Sequence, residues 1–169
     1  MDHVFSLRKG LSACAIVIFA LACLPSSAPA QSIEWIRQFG SARDELAFSV
    51  AAAGSAIYVA GATEGTLPGQ NNSGTGTIFI RKYDAAGNLL WTRQFGTNEG
   101  GVAYAVTADD TAVYAAGQVF GTLAGQTSAG LSDSFVRKYD GNGNEMWTRQ
   151  FGLEFDDGAS ALAVDNTGL

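Results

Sequence analysis

The sequence predicts an all-β fold made of four-stranded antiparallel blades, preceded by a signal-peptide helix. Two observations carry this. Tryptophan recurs at positions 35, 91 and 147, a spacing of 56 residues each time, and a fixed long period marks a repeat architecture. Within each period lie four short runs rich in Val, Phe, Tyr and Trp, separated by clusters of Gly, Asn and Asp. Four antiparallel strands per repeat of this length describe one blade of a β-propeller, and no long helical periodicity competes with that reading after residue 30.

The first thirty residues predict a leader rather than part of the fold. Arg8 and Lys9 form a basic start, Leu11 to Leu24 an apolar run, and Ala28-Pro29-Ala30 a small-residue cleavage site. That order describes a secretory signal peptide, with an apolar run short for a membrane span. Cleavage after Ala30 would leave a chain beginning at Gln31, directed to an extracytoplasmic location: secreted, periplasmic or at the cell surface. A lipoprotein signal at Ala20-Leu21-Ala22-Cys23, with Cys23 acylated, is the alternative. Processing at Ala30 leaves no transmembrane segment in this reading.

Processing also removes chemistry. Cys14, Cys23 and His3 all lie in the leader, so the remaining chain has neither thiol nor imidazole. Zinc sites built on Cys or His, haem ligation, disulfides and Ser-His-Asp triads are excluded there. Eight Lys and Arg stand against fifteen Asp and Glu after residue 30, a net charge of −7. Nucleic-acid binding needs the opposite footprint and is excluded as well. The composition implies no cofactor.

Residues 35–90 align with 91–146 without a gap, and 25 of the 56 positions are identical. Trp35, Arg37, Gln38, Phe39 and Gly40 recur as Trp91, Arg93, Gln94, Phe95 and Gly96, and the motif returns once more from Trp147 through Arg149 to Gly152. Gly65-Thr66-Leu67 with Gly69-Gln70 recurs as Gly121-Thr122-Leu123 with Gly125-Gln126. Phe79, Arg81 to Asp84, and Gly87-Asn88 recur as Phe135, Arg137 to Asp140, and Gly143-Asn144. In the second unit the predicted strands are about 103–108, 112–119, 134–140 and 145–151. A period of two sends Phe135, Arg137 and Tyr139 to one face and Val136 and Lys138 to the other. Asp84 to Asn88 and Asp140 to Asn144 read as compact hairpin turns.

The expected organisation is a signal peptide at 1–30, a leading outer strand at 31–45, blades at 46–96 and 102–152, and the start of a further blade at 153–169. The leading strand resembles a ring-closure device, in which one terminus completes a blade begun by the other. A four-bladed ring at this period needs about 224 residues, against the 139 that follow Ala30. The propeller is therefore expected to be incomplete and the sequence a fragment of a longer product.

These blocks together resemble the bacterial SBBP repeat, a seven-bladed β-propeller repeat family, over essentially all of 33–169. The resemblance implies a propeller fold and an extracytoplasmic setting, and carries no catalytic motif. Tyr83 to Trp91 is similar, more weakly, to quinoprotein-type propeller repeats, which implies an envelope-assembly scaffold as one alternative.

The tryptophans and the arginines Arg37, Arg93 and Arg149 occur in every unit, so a repeated packing role is expected of them, with the indole bridging neighbouring blades. Arg81-Lys82 and Arg137-Lys138 are each split between two faces and do not form a basic track. Asp140 to Asn144 superficially suggests a calcium loop, but Glu145 and Phe151 stand where Gly and a bidentate Glu are required, and the pattern implies no metal. Ligand-facing positions are expected in the loops that vary between units: Asp44 and Glu45, then Glu99, then Asp156 and Asp157. The partner is expected to be a protein or a carbohydrate. The leading functional reading is a non-catalytic binding or interaction module. The enzymatic alternative is a carboxylate-only glycoside hydrolase, which needs two carboxyl groups about 5–5.5 Å or 6.5–9.5 Å apart.

Overall fold

A computed structural model of the chain describes residues 33–71 and 76–165. The leader, the N-terminal helix expected of it and both its cysteines lie outside the described residues. Among the described residues no helix is long and apolar enough to cross a membrane.

The described chain is all-β. Its strands are β1 (Glu45–Ala53), β2 (Ala56–Thr63), β3 (Thr77–Asp84), β4 (Leu89–Phe95), β5 (Gly101–Ala108), β6 (Ala112–Phe120), β7 (Ser132–Asp140) and β8 (Glu145–Phe151). They form two four-stranded sheets, ordered β1-β2-β3-β4 and β5-β6-β7-β8. Every neighbouring pair is antiparallel. Consecutive antiparallel strands need only short turns between them, which the Gly-, Asn- and Asp-rich joints supply.

The two sheets are copies down to their irregularities. A register shift isolates Phe48 in β1 and Tyr104 in β5, and another isolates Leu90 in β4 and Met146 in β8. The first bulge explains a glycine. A Cβ on Gly61 would stand 1.9 Å from the Leu46 carbonyl oxygen, and one on Gly117 would stand 1.9 Å from that of Val102. No side chain fits where the bulged strand leans on its neighbour.

One core joins the sheets. Tyr58, Ala60, Ile78, Ile80 and Phe95 from the first sheet pack with Ala103, Val113, Ala115, Phe135 and Tyr139 from the second. The period-two pattern of β7 follows from this: Phe135, Arg137 and Tyr139 are buried against the first sheet, whereas Val136 and Lys138 are half-buried. The same face of β3, bearing Phe79, Arg81 and Tyr83, is covered by residues 35–39. There Phe39 meets Phe79 edge-on at 5.4 Å and Trp35 stacks on Tyr83 at 6.3 Å. Residues 33–40 pair with no strand, yet they occupy on the first sheet the place that β4 takes on the second.

On this same face the first strands of the two sheets differ in cover. Val106 of β5 is 6% exposed beneath the first sheet, whereas its counterpart Val50 of β1 is 67% exposed.

Candidate functional site

Two arrangements are candidates for function: the junction between sheets and the cleft at the loop end.

The junction is built from the repeated motif. Trp91 Nε1 donates to the Gly141 carbonyl at 3.1 Å, Arg93 Nε to Gly143 at 2.5 Å, and Arg93 Nη2 to Asn142 at 3.2 Å. Trp35 and Arg37 make the same three bonds to Ala85, Gly87 and Ala86 at 2.9, 2.7 and 3.3 Å. Each Trp-x-Arg pair therefore grips the β-hairpin turn of the following sheet. The phenylalanine of the motif reaches forward too. Phe95 meets Phe135 edge-on at 5.6 Å, and the Arg137 guanidinium lies 3.8 Å from the Phe95 ring centroid.

The turn is shaped for this grip. Asp140 Oδ1 accepts the Asn142 and Asn144 N–H groups at 2.9 and 2.8 Å, and Oδ2 accepts the Asn144 side-chain amide at 2.9 Å. Asp84 holds Asn88 likewise, at 2.8 and 2.9 Å. With these amide donors drawn inward, the carbonyls between them face the preceding sheet. These bonds hold both carboxyl groups below the ordinary aspartate range. The side-chain amide of Asn88 contributes most for Asp84, and the backbone N–H of Asn144 most for Asp140. Gly87 and Gly143 have φ of 75° and 78°, and a Cβ there would lie 2.6 Å from Trp35 or 2.9 Å from Trp91.

Gln94 and Gln150 act backward, within their own sheets. Gln150 Oε1 accepts the Leu123 N–H at 2.9 Å, and its Nε2 donates to Gly121 and to Asp133 at 2.8 and 2.7 Å. Gln94 bonds Leu67 and Gly65 at 2.9 and 2.7 Å. The Gly-Thr-Leu loops are thus pinned by a side chain and by burial of Leu67 and Leu123.

The third copy of the motif has no turn to grip among the described residues. Arg149 is exposed and Phe151 is 53% exposed, against 8% for Phe95.

At the loop end a cleft of about 510 Å³ opens between the sheets. Asp44, Glu45 and Glu99 line it together with Glu64, Thr63 and Phe120. The structure thus brings three of the five expected loop acids together. Asp156 and Asp157 are not in its lining. Asp156 accepts a hydrogen bond from Ser132 Oγ at 2.7 Å, and Asp157 one from the Leu153 N–H at 2.6 Å, so both serve the loop that follows β8.

Glu64 was missed by sequence reasoning. It stands where the second unit has Phe120, a variable position beside the repeated Gly-Thr-Leu, and that variation was the available signal. Its N–H donates to the Asp44 carbonyl at 2.9 Å, which draws the two loops together.

Glu45 is committed internally. Burial pushes its carboxyl up, but hydrogen bonds from Ser41 Oγ at 2.6 Å and Thr63 Oγ1 at 2.9 Å outweigh this and hold it below its ordinary value. It is a carboxylate at neutral pH, with one oxygen already accepting two hydroxyls. Among the described residues no group of three or more His, Cys, Asp or Glu could hold a metal ion.

No protein-family model matches this chain. The chain is similar to the regulatory protein FlaEY of Caulobacter vibrioides, at 38% identity over 138 residues. That alignment covers 72% of this chain and 14% of the relative's length.

Proposed function

We propose that this chain is an exported, non-catalytic β-propeller repeat protein of the SBBP type, acting as a binding module for a protein or carbohydrate at its loop end. The observation that carries the reading is the cleft between the sheets. Its walls come from strands paired alike in both sheets, while the residues lining it differ between units: Asp44, Glu45 and Glu64 stand where the second unit has Gly100, Gly101 and Phe120. A scaffold held constant beneath variable, functional loops is a common way to build a binding surface. With Asp44, Glu64 and Glu99 at the rim, the matching ligand presents hydrogen-bond donors: sugar hydroxyls, or Lys and Arg side chains.

The hydrolase alternative needs a general acid whose pKa is raised into the neutral range. Among the described residues, hydrogen bonds hold the carboxyl groups of Glu45, Asp84, Asp109, Asp133 and Asp140 below their ordinary values, so none of these five is tuned as such an acid.

The test is a screen of neutral oligosaccharides and of Lys/Arg-rich peptides by calorimetric titration, with Glu64→Gln and Glu99→Gln as controls. Saturable binding weakened by either substitution is expected. Binding insensitive to both, or turnover of aryl glycosides, would overturn the reading. Recovery of a periplasmic product beginning at Gln31, by N-terminal sequencing, tests the export component separately.

A further inference from the structure

We infer that Arg81 is the centre of an anion site that takes a small carboxylate, such as formate or acetate, at the place where the second sheet supplies a carboxylate of its own. The site lies within the first sheet, apart from the loop-end cleft, and does not depend on that cleft's function.

The second sheet shows what this set of donors holds. Arg137 Nε donates to Thr148 Oγ1 at 2.6 Å, Thr148 Oγ1 donates to Glu145 Oε1 at 2.6 Å, and Arg137 Nη1 pairs with Glu145 Oε2 at 3.3 Å. One carboxylate thus receives both a guanidinium N–H and a hydroxyl. Arg137 and Glu145 line a cavity of about 340 Å³ together with Arg93, Tyr139 and Asn144.

The first sheet repeats the donors and omits the acceptor. Arg81 pairs across the strands with Thr92 as Arg137 does with Thr148, and Tyr83 pairs with Leu89 as Tyr139 does with Glu145. Arg37, Tyr83 and Asn88 stand where the cavity of the second sheet has Arg93, Tyr139 and Asn144. Arg81 is 7% exposed, its Nε and Nη1 are buried without a hydrogen-bond partner, and among the described residues no carboxylate pairs with it. Phe39 covers one face of this guanidinium at 4.0 Å, as Phe95 covers Arg137 at 3.8 Å, which leaves the N–H edge for a ligand. A second cation acts at the same spot. Burial pushes the Tyr83 hydroxyl up, and the charges of Arg81 and Arg37 both pull it down. An unpaired buried cationic donor is costly, and a carboxylate is the acceptor that matches the guanidinium fork. Leu89 is the side chain the anion displaces, and at 47% exposure it is already half surrounded by solvent.

The test follows the Arg81 Nε–H resonance of the isotopically labelled chain, identified by its absence in Arg81→Lys, as sodium formate replaces sodium chloride at constant ionic strength. Saturable movement is expected, with half-saturation at about 1 mM or above, the range open to a ligand of so few atoms. The Arg137 Nε–H should stay still, because Glu145 fills its site, and should respond once Glu145→Leu removes that carboxylate. Leu89→Glu should supply the anion internally and abolish the Arg81 response. Formate should likewise raise the urea midpoint of the parent and not that of Leu89→Glu. An Arg81 resonance that does not move in the parent, an equal response in Leu89→Glu, or an Arg137 resonance that stays still in Glu145→Leu would overturn the inference.

Discussion

Arg93 Nε donates a 2.5 Å hydrogen bond to the carbonyl of Gly143, fifty residues further along and in the other sheet. A second bond from Nη2 to Asn142 makes the guanidinium a two-pronged grip, and the same side chain lies 5.5 Å from the Trp91 ring centroid. Hydrogen bonds to a charged donor contribute about 1.5–3 kcal/mol each, and these two are half-exposed and share one side chain. Arg93→Ala should therefore lower the unfolding free energy by about 2–3 kcal/mol. Arg93→Lys should recover less than half of that, because an ammonium lacks the planar fork. Urea melts of both variants check this.

Gly143 and Gly125 separate two costs that a glycine can hide. Both have positive φ, 78° and 74°, but a Cβ at Gly125 would meet nothing within 4 Å, whereas one at Gly143 would meet Trp91 and the Arg93 guanidinium at about 3 Å. Gly125→Ala should cost about 1 kcal/mol, the backbone penalty alone. Gly143→Ala should cost about 3 kcal/mol, because the Trp91 ring must also move. Equal losses in thermal melts would show that the indole yields freely.

Asp84 and Asp140 predict the acid limb of the stability curve. Their folded pKa values are depressed by the turn hydrogen bonds. Their stabilisation is thus full above the unfolded aspartate value, about 3.9, and is lost as pH falls through the lower folded value. The melting temperature should hold between about pH 8 and pH 5 with respect to these groups and fall below about pH 4. Asp140→Asn should be less stable at pH 7 and show a shallower acid limb. A wild-type curve flat down to pH 2 would contradict this.

Much of the scaffold was legible because it is written twice. The 56-residue period and the alternation of Phe135, Arg137 and Tyr139 suffice to place four-stranded antiparallel sheets, since strand faces follow a period of two. What the repeat could not reveal is direction. That Trp91 and Arg93 reach forward to the next turn while Gln94 reaches back to Leu67 depends on how the sheets stack, and the period is the same either way. The cleft was half legible. Variation between units pointed to Asp44, Glu45 and Glu99, but nothing local to Asp156 and Asp157 tells that Ser132 and the Leu153 N–H occupy them. Glu64 enters from a strand end, away from the loop where acids were sought.

Arg81 and Arg137 lead to the remaining prediction. Arg137 Nε donates to Thr148 Oγ1 at 2.6 Å, and its Nη1 pairs with Glu145 at 3.3 Å. Arg81 occupies the equivalent place at 7% exposure, 4.0 Å from the Phe39 ring centroid, and its Nε and Nη1 are buried without a partner. Thr92 matches Thr148, but Leu89 stands where the second sheet has Glu145, which there both pairs with the guanidinium and accepts a hydrogen bond from Thr148 Oγ1 at 2.6 Å. A buried donor without a partner costs about 1–3 kcal/mol, more when it is charged. Leu89 is 47% exposed, so replacing it sacrifices little burial, and the new carboxylate would be partly screened, as Glu145 is at 45% exposure. Leu89→Glu should accordingly stabilise the chain by about 1 kcal/mol, and Glu145→Leu should destabilise it by a similar amount. The gain should vanish when Arg81→Met is added, because the carboxylate then has no guanidinium to meet. Chemical denaturation of the single and double variants decides it: a Leu89→Glu gain that survives Arg81→Met would assign the effect to surface charge instead.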